Sequence, residues 1–457
     1  MNMSPNNLLR SPKSKNLLFF LLLPAWLMAC QGINQTEPIG TSDGRYRATA
    51  QPDRIMQSIA EKPSNQLVFS WRTSSMVLEG YLELLPQWQE AHSGITPLIY
   101  TAIKVPVHFQ GSTDHYFQVS IDSLQPHTHY MVRVGCQNHR SEWMAVQTHS
   151  DRSDQPLTIL SFGDVQNDIL EFAPRVFRKA FSSFANASLL MHAGDLTLSS
   201  GSDQTWGEWF ESGGWHFRQI PSLPSAGNSD HFRLQKDPVD VRLLYPQWHG
   251  VFNLPKNGPE GLNNLAYYVD FPNVRIISLY TNFESMEEGK EIRIAPEAEI
   301  DMALFEKQLE WLEEVLSSRN QQWCIVQMHH PVLTARQERG NPLVHDHIRP
   351  LLEKYAVDLV LQGHDHVYAR GQYPSEEKAI LPVYIISVAG GKLQDLDPYL
   401  SWANVSYENH QFFHAIHIHE GKLVFEAYNY TGIRKDHLQI TLNSDGTKNI
   451  SDVGSIQ

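Results

Sequence analysis

Five short clusters of metal-ligand side chains recur from residue 162 onwards, each behind an apolar run. They are Phe162-Gly-Asp164-Val-Gln166, Met191-His-Ala-Gly-Asp195-Leu-Thr-Leu198, Ala226-Gly-Asn228-Ser-Asp230-His231, Val326-Gln-Met-His329-His330-Pro331 and Gly363-His364-Asp-His366. Neutral imidazoles, carboxylates and amide oxygens are the ligands that borderline transition metals take. Two cations held roughly 3.5 to 4 Å apart need a bridging carboxylate to offset their repulsion. The remaining ligands complete each sphere and leave positions open for water and substrate. A glycine precedes four of these ligands, Asp164, Asp195, Asn228 and His364, and is read as the turn that takes the chain off its strand. A single Gly-Asp or His-x-His is weak; five clusters in this order carry the reading.

The elements that must hold them are strands alternating with helices. Residues 157–162, 189–192, 323–328, 359–361, 383–388, 415–418 and 423–427 are short apolar runs of the kind that form buried strands. Residues 169–187 place Phe172, Val176, Phe177, Ala180 and Phe184 on one helical face. Residues 297–319 do the same with Leu304, Leu309, Trp311, Leu312, Val315 and Leu316, and 350–355 is a short helix. His417 and His419, at period two, read as an exposed strand face. Aromatic residues crowd 199–224 and 245–252, including Trp206, Trp209, Phe210, Trp215, Phe217, Trp248 and His249; they are read either as pocket rim or as a loop packing on itself.

Upstream, residues 63–149 alternate apolar and polar in short runs, which predicts an all-β sandwich with Trp71 in its core. His127 and His129 read there as solvated turn residues. A polar, proline-ended stretch at 150–156 marks the boundary to the second domain.

The N-terminus carries Arg10, Lys13 and Lys15 ahead of an apolar stretch, 17–28, too short for a mature membrane span. It reads as a targeting segment over residues 1–30, and 31–62 reads as a flexible tether. After Cys30 only Cys136 and Cys324 remain, expected to be two buried thiols and not a disulfide. The formal net charge of -14 argues against a nucleic-acid partner. At 457 residues the chain exceeds one typical core, so two domains are expected.

The order of the five clusters resembles the calcineurin-like metallophosphoesterase superfamily, and the added sandwich resembles its purple acid phosphatase branch. That resemblance implies a fibronectin type III-like N-terminal domain over 63–149, with Tyr130 as a tyrosine corner. It implies a four-layer metallophosphatase domain over 157–432, with two central β-sheets flanked by helices, and leaves 433–457 as a tail. Carried onto this chain, it gives one metal Asp164, Asp195 and His366. The other takes Asp195, Asn228, His329 and His364, so Asp195 bridges. The ions would be two divalent or trivalent metals such as iron, zinc or manganese, and the substrate a small phosphate ester. The Leu-Met-Ala-Cys30 sequence resembles a bacterial lipobox, which implies export, a lipid on Cys30 and anchoring to the outer membrane facing periplasm or exterior.

Three positions depart from the branch. Leu198 stands where it has an iron-binding tyrosine, so its charge-transfer colour is expected to be missing. Gln166 stands at a place where other superfamily members have a histidine, and its side-chain oxygen is read as a ligand of the first metal or as an outer hydrogen bond. Ser229 stands where the branch has the histidine that assists phosphoryl transfer. Its acid partner is kept as Asp230, and His231 or His330 would supply the proton donor. The expected reaction is water-driven hydrolysis of phosphate mono- or diesters. The competing reading is a non-catalytic surface lipoprotein with a structural metal centre.

Overall fold

The computed structural model describes residues 44–86, 94–109, 111–198, 203–236, 239–287, 290–294, 302–337, 339–373, 382–419 and 421–452. The targeting segment, Cys30, the first part of the tether and the 297–301 start of the second helix lie outside the described residues. The N-terminal part is β-rich and the part after it is α/β.

Among the described residues two large sheets dominate. One has seven strands, ordered Tyr267–Asp270, Val274–Ser278, Trp323–Gln327, Leu359–Gln362, Val383–Ile386, Tyr368–Gly371 and Ala403–Tyr407. The other has eleven, and it runs through both parts of the molecule. Its centre is Leu157–Phe162, Leu189–His192 and Ser222–Pro224, parallel to one another. The edge of this trio pairs in parallel with Asp53–Ser58, and Ile59 N–H donates to Ser222 O at 3.0 Å. Asp53–Ser58 then pairs with Leu67–Ser74 of the sandwich.

This corrects the tether at its C-terminal end. Asp53–Ser58 is a mostly buried strand, with Ile55 and Met56 in the core. Six residues with only Ile55 and Met56 as apolar anchors gave too little period to show it. The tail is corrected as well. Arg434–Leu442 and Lys448–Asp452 extend the eleven-stranded sheet at its other end, with Leu438 and Ile440 buried.

The sandwich closes with a second sheet, ordered Leu98–Thr101, Tyr81–Pro86, His129–Gly135 and Met144–Gln147. Trp71 is fully buried and stacks on Phe117 at 5.6 Å between the sheets. Alternation along Ser112–Ile121 sends the neighbouring Tyr116 to the opposite face, where it packs with the core of the α/β part. The Tyr130 hydroxyl accepts from Gln125 N–H at 2.9 Å, the corner expected from the sequence. His127 and His129 are exposed. Cys324 is buried, whereas Cys136 is only half-buried; both are free thiols.

The helices Ile169–Ser183 and Met302–Ser317 bury Val176, Phe177, Ala180, Leu312, Val315 and Leu316. The aromatic segment after residue 202 is neither rim nor loop. It forms the helix Asp203–Gly213, whose Trp206 and Trp209 join Phe217 and Trp248 in the fully buried core. Trp209 lies 4.4 Å from Phe217, and both contact the ring of His192.

Candidate metal centre

The parallel strands place the five clusters together because parallel strands of one sheet end at the same edge. Asp164 follows Leu157–Phe162, Asp195 follows Leu189–His192 and Asn228 follows Ser222–Pro224. From the facing sheet, His329 follows Trp323–Gln327 and His364 follows Leu359–Gln362. Each ligand-bearing loop therefore starts from a backbone already fixed by ladder hydrogen bonds.

The glycines do something other than turn the chain. Asp164, Asp195, His364 and His366 themselves sit at positive φ, 49°, 55°, 74° and 57°. Non-glycine residues there cost about 1 to 2 kcal/mol each, strain that collects at functional sites. Gly363 and Gly227 instead permit close approach. A Cβ at Gly363 would fall 2.4 Å from Asp164 Oδ2, and one at Gly227 would fall 2.2 Å from Asp195 Oδ1. Gly194, at φ 83°, combines both roles, since its Cβ would meet His329 Nδ1 at 2.5 Å.

Two groups of ligand atoms result. In one, His364 Nδ1 lies 2.8 Å from Asn228 Oδ1 and 3.2 Å from His329 Nε2, and His329 Nε2 lies 3.3 Å from Asp195 Oδ1. His329 Nδ1 lies 3.0 Å from the Ala193 carbonyl, so it carries the proton and leaves the Nε2 lone pair facing the cluster. In the other group, Asp164, Asp195 and His366 offer ligand atoms that all fall within 4.8 Å of one another. Asp195 belongs to both, with Oδ1 toward His329 and Oδ2 beside the Gln166 amide at 2.7 Å. His330 joins His329 and His364 in a further close triad, its ring centroid 4.4 Å from that of His364.

Such a crowd of buried acceptors is unfavourable without a cation. Burial and the neighbouring Asp195 hold the Asp164 carboxyl well above the usual carboxylate range. Burial, with Lys392 and Arg339 nearby, pushes His366 down to about 2. Burial and its histidine and arginine neighbours likewise keep His364 neutral. Gln166 Oε1 is buried without a hydrogen-bond partner, while Nε2 of the same amide faces Asp195 Oδ2. Amide orientation is an assignment, and the reversed amide would aim oxygen into the Asp164–Asp195–His366 group. The donor set fits a pair of cations.

Two candidates for acid chemistry are placed elsewhere. The Asp230 carboxylate accepts the backbone N–H groups of Asp195, Leu196, Thr197 and Gly227 at 2.8 to 3.0 Å. Burial and the neighbouring Asp195 push this carboxyl up to about 8, while its N–H contacts make it a clamp on the Asp195 loop. His231 is fully buried, with Nδ1 on Gly227 O at 2.8 Å and Nε2 on the Tyr280 hydroxyl at 3.0 Å. Of the three, His330 is the one whose ring groups with ligand imidazoles, those of His329 and His364. Ser229 lies against Asp195, and Leu198, half-buried, offers its carbonyl to the Tyr245 hydroxyl at 3.2 Å.

Residues 52–148 match the purple acid phosphatase N-terminal domain, and residues 157–368 match the calcineurin-like phosphoesterase domain. The chain joins these two domains. The family of this phosphoesterase domain is one of binuclear metal phosphatases. Tartrate-resistant acid phosphatase type 5 of Rattus norvegicus is 26% identical over 212 residues, 45% of this chain and 61% of that protein. An uncharacterized protein of Mycobacterium tuberculosis is 28% identical over 187 residues, 39% of this chain and 33% of its own length. The matched stretches thus span a third to about three-fifths of these relatives. The purple acid phosphatase PPD1 from yellow lupin (Lupinus luteus) seeds shares the fold, with a TM-score of 0.67 at 15% identity over 87% of this chain and 75% of that one. PhoD does so with a TM-score of 0.64 at 10% identity, over 90% and 94%.

Proposed function

We propose that the chain hydrolyses phosphate esters at a two-metal centre. The observation that carries the reading is Asp195, whose two oxygens each face a different group of ligand atoms. Asn228, His329 and His364 would hold one ion with Asp195; Asp164 and His366 would hold the other, with Gln166 Oε1 as a further ligand. When bound, the ions lower the pKa of a water toward neutrality and polarise the phosphoryl oxygens. Iron, zinc and manganese all suit mixed nitrogen and oxygen ligands.

The chain's own residues orient these ligands. The Ala193 carbonyl fixes the His329 tautomer, and His364 N–H donates to Asp164 Oδ1 and Oδ2 at 2.9 and 2.7 Å. His330, beside His329 and His364, would give a proton to the leaving oxygen. Its Nδ1 meets the Thr281 hydroxyl at 3.0 Å, which fixes the ring beside His364. No side-chain nucleophile is required. Losing a general acid typically costs on the order of 100- to 10,000-fold. Esters with good leaving groups, and phosphodiesters, would depend least on that proton.

Ser229 is the one observation that favours the second reading, a non-catalytic lipoprotein with a structural metal centre. The mature protein, loaded with manganese, zinc or iron, is to be assayed on aryl phosphate mono- and diesters. Turnover that disappears in His364→Ala supports the enzyme; turnover that survives it overturns the ligand assignment. Stoichiometric metal without hydrolysis of any ester supports the second reading. Export and lipidation at Cys30 complete the proposal. The mass of the mature N-terminus, with and without Cys30→Ser, tests them.

A further inference from the structure

Asp365, between the two histidines of Gly363-His364-Asp-His366, is fully buried and has no place among the ligands. Its Oδ2 accepts the Ala335 N–H at 2.7 Å and the Thr334 hydroxyl at 2.8 Å. This carboxylate therefore ties the segment after Pro331 down onto the site. The same segment carries Arg339. One guanidinium nitrogen, Nη2, donates to the His364 carbonyl at 2.9 Å and reaches His364 Nε2 at 2.8 Å. Arg339 Nε and Asp365 Oδ1 lie 3.6 Å apart, each buried and without a closer partner. The arginine side chain keeps 30% of its surface exposed.

The contact with His364 Nε2 conflicts with ligation by His364. The Nδ1 atom of that ring faces Asn228 and His329. A neutral imidazole that ligates through Nδ1 carries its proton on Nε2. Two N–H donors would then face each other, and the guanidinium must leave Nε2. It remains tethered by the His364 carbonyl and by Asp365. Its freed N–H groups stand beside the ligand cluster, one imidazole away. A planar guanidinium is the side chain best matched to two oxygens of one phosphoryl group.

We propose that Arg339, positioned by Asp365, is the phosphoryl-binding cation of this site, and that it selects phosphate monoesters over diesters. It supplies the anion contact at a site where Ser229 offers no positive charge. A monoester dianion carries about two charges over three non-bridging oxygens, whereas a diester carries one over two, so the guanidinium attracts the monoester more strongly. The inference rests on the phosphoesterase reading above.

The test uses the full mature protein loaded with metal, as wild type, Arg339→Gln and Arg339→Lys. Metal stoichiometry, the Kd of inorganic phosphate by calorimetry, and KM and kcat on an aryl monoester and diester are measured. Arg339→Gln is expected to keep the wild-type metal content and to bind phosphate roughly ten- to a hundredfold more weakly. Its monoester KM rises more than its diester KM. Arg339→Lys keeps charge without the fork and recovers part of the phosphate affinity. If Arg339→Gln does not fold, Arg339→Lys decides alone, through weaker phosphate binding and a smaller monoester preference than wild type. Either variant with full metal, wild-type phosphate affinity and unchanged monoester preference overturns the inference while the phosphoesterase reading stands. A wild-type protein that binds neither metal nor phosphate overturns both.

Discussion

Ser229 donates twice to Asp195, its backbone N–H to Oδ1 at 2.6 Å and its hydroxyl to Oδ2 at 3.0 Å. Ser229 thus orients the carboxylate shared by the two ligand groups. In Ser229→Ala the backbone donor stays and the hydroxyl is lost. Removing such an outer partner lowers metal affinity, here by roughly tenfold. Competition with a chelator of known affinity measures it. An unchanged constant would show that the hydroxyl does not orient Asp195.

Asp230 gathers four backbone N–H groups that have no other acceptor in their loop. Asp230→Ala leaves those buried donors unmet, at about 1 to 3 kcal/mol for the first and less for those that relax, so a loss on the order of 3 kcal/mol is expected. The midpoint of urea unfolding should fall with its slope unchanged. A role in proton transfer alone would leave that midpoint where it is.

Gln166 is predicted to hold the ion beside Asp164 and His366. Gln166→Ala should bind less metal at that position, and Gln166→His, which offers an imidazole, should retain it. Metal analysis after gel filtration separates the outcomes. Full metal content in Gln166→Ala assigns the amide to hydrogen bonding with Asp195 instead.

Acid stability follows from His192 and His414, both buried against aromatic rings, with burial lowering each to about 3. The unfolded chain binds their protons below about 6.5 while the folded chain resists. Their contribution is complete above pH 6.5 and is lost as pH falls toward 3, at about 1.4 kcal/mol per pH unit for each. His192→Phe should shrink the drop in Tm between pH 7 and pH 5. An identical drop in the variant would remove His192 as a source of acid lability.

The candidate ligands were legible in the sequence because each of their five clusters adjoins its own strand. Asp164, Asp195, Asn228, His329, His364 and His366 all converge in the structure, as their motifs imply. The roles of their immediate neighbours were not legible. Asp230 and His231 have acid and base side chains in a reactive setting, yet backbone groups of Asp195 and Gly227 already engage them. Sequence shows which side chains are present, but which lone pairs are already taken depends on contacts between distant residues. Leu198, by contrast, needs no contact to be read, since an alkyl side chain cannot ligate.

The glycines show the same division. Their positions before ligands were plain, but Gly227 and Gly363 serve close approach, Gly194 both turns and approaches, and Asp164, Asp195 and His364 take the left-handed turn themselves. Asp53–Ser58 and Lys448–Asp452 escaped notice since short strands are stabilised by the sheet they join and not by their own pattern, whereas Arg434–Leu442 does alternate, with Leu438 and Ile440 inward.

By itself the sequence determined the chemistry available, a β-rich domain ahead of an α/β domain and five clusters of ligand-type side chains behind apolar runs. Local periodicity and side-chain type suffice for that. Only the tertiary structure decided that the sheets of the two parts are continuous, that Asp195 faces both ligand groups and that Arg339 rests on His364. These relations join residues far apart in the chain, and they exist only once packing has fixed the distances between them.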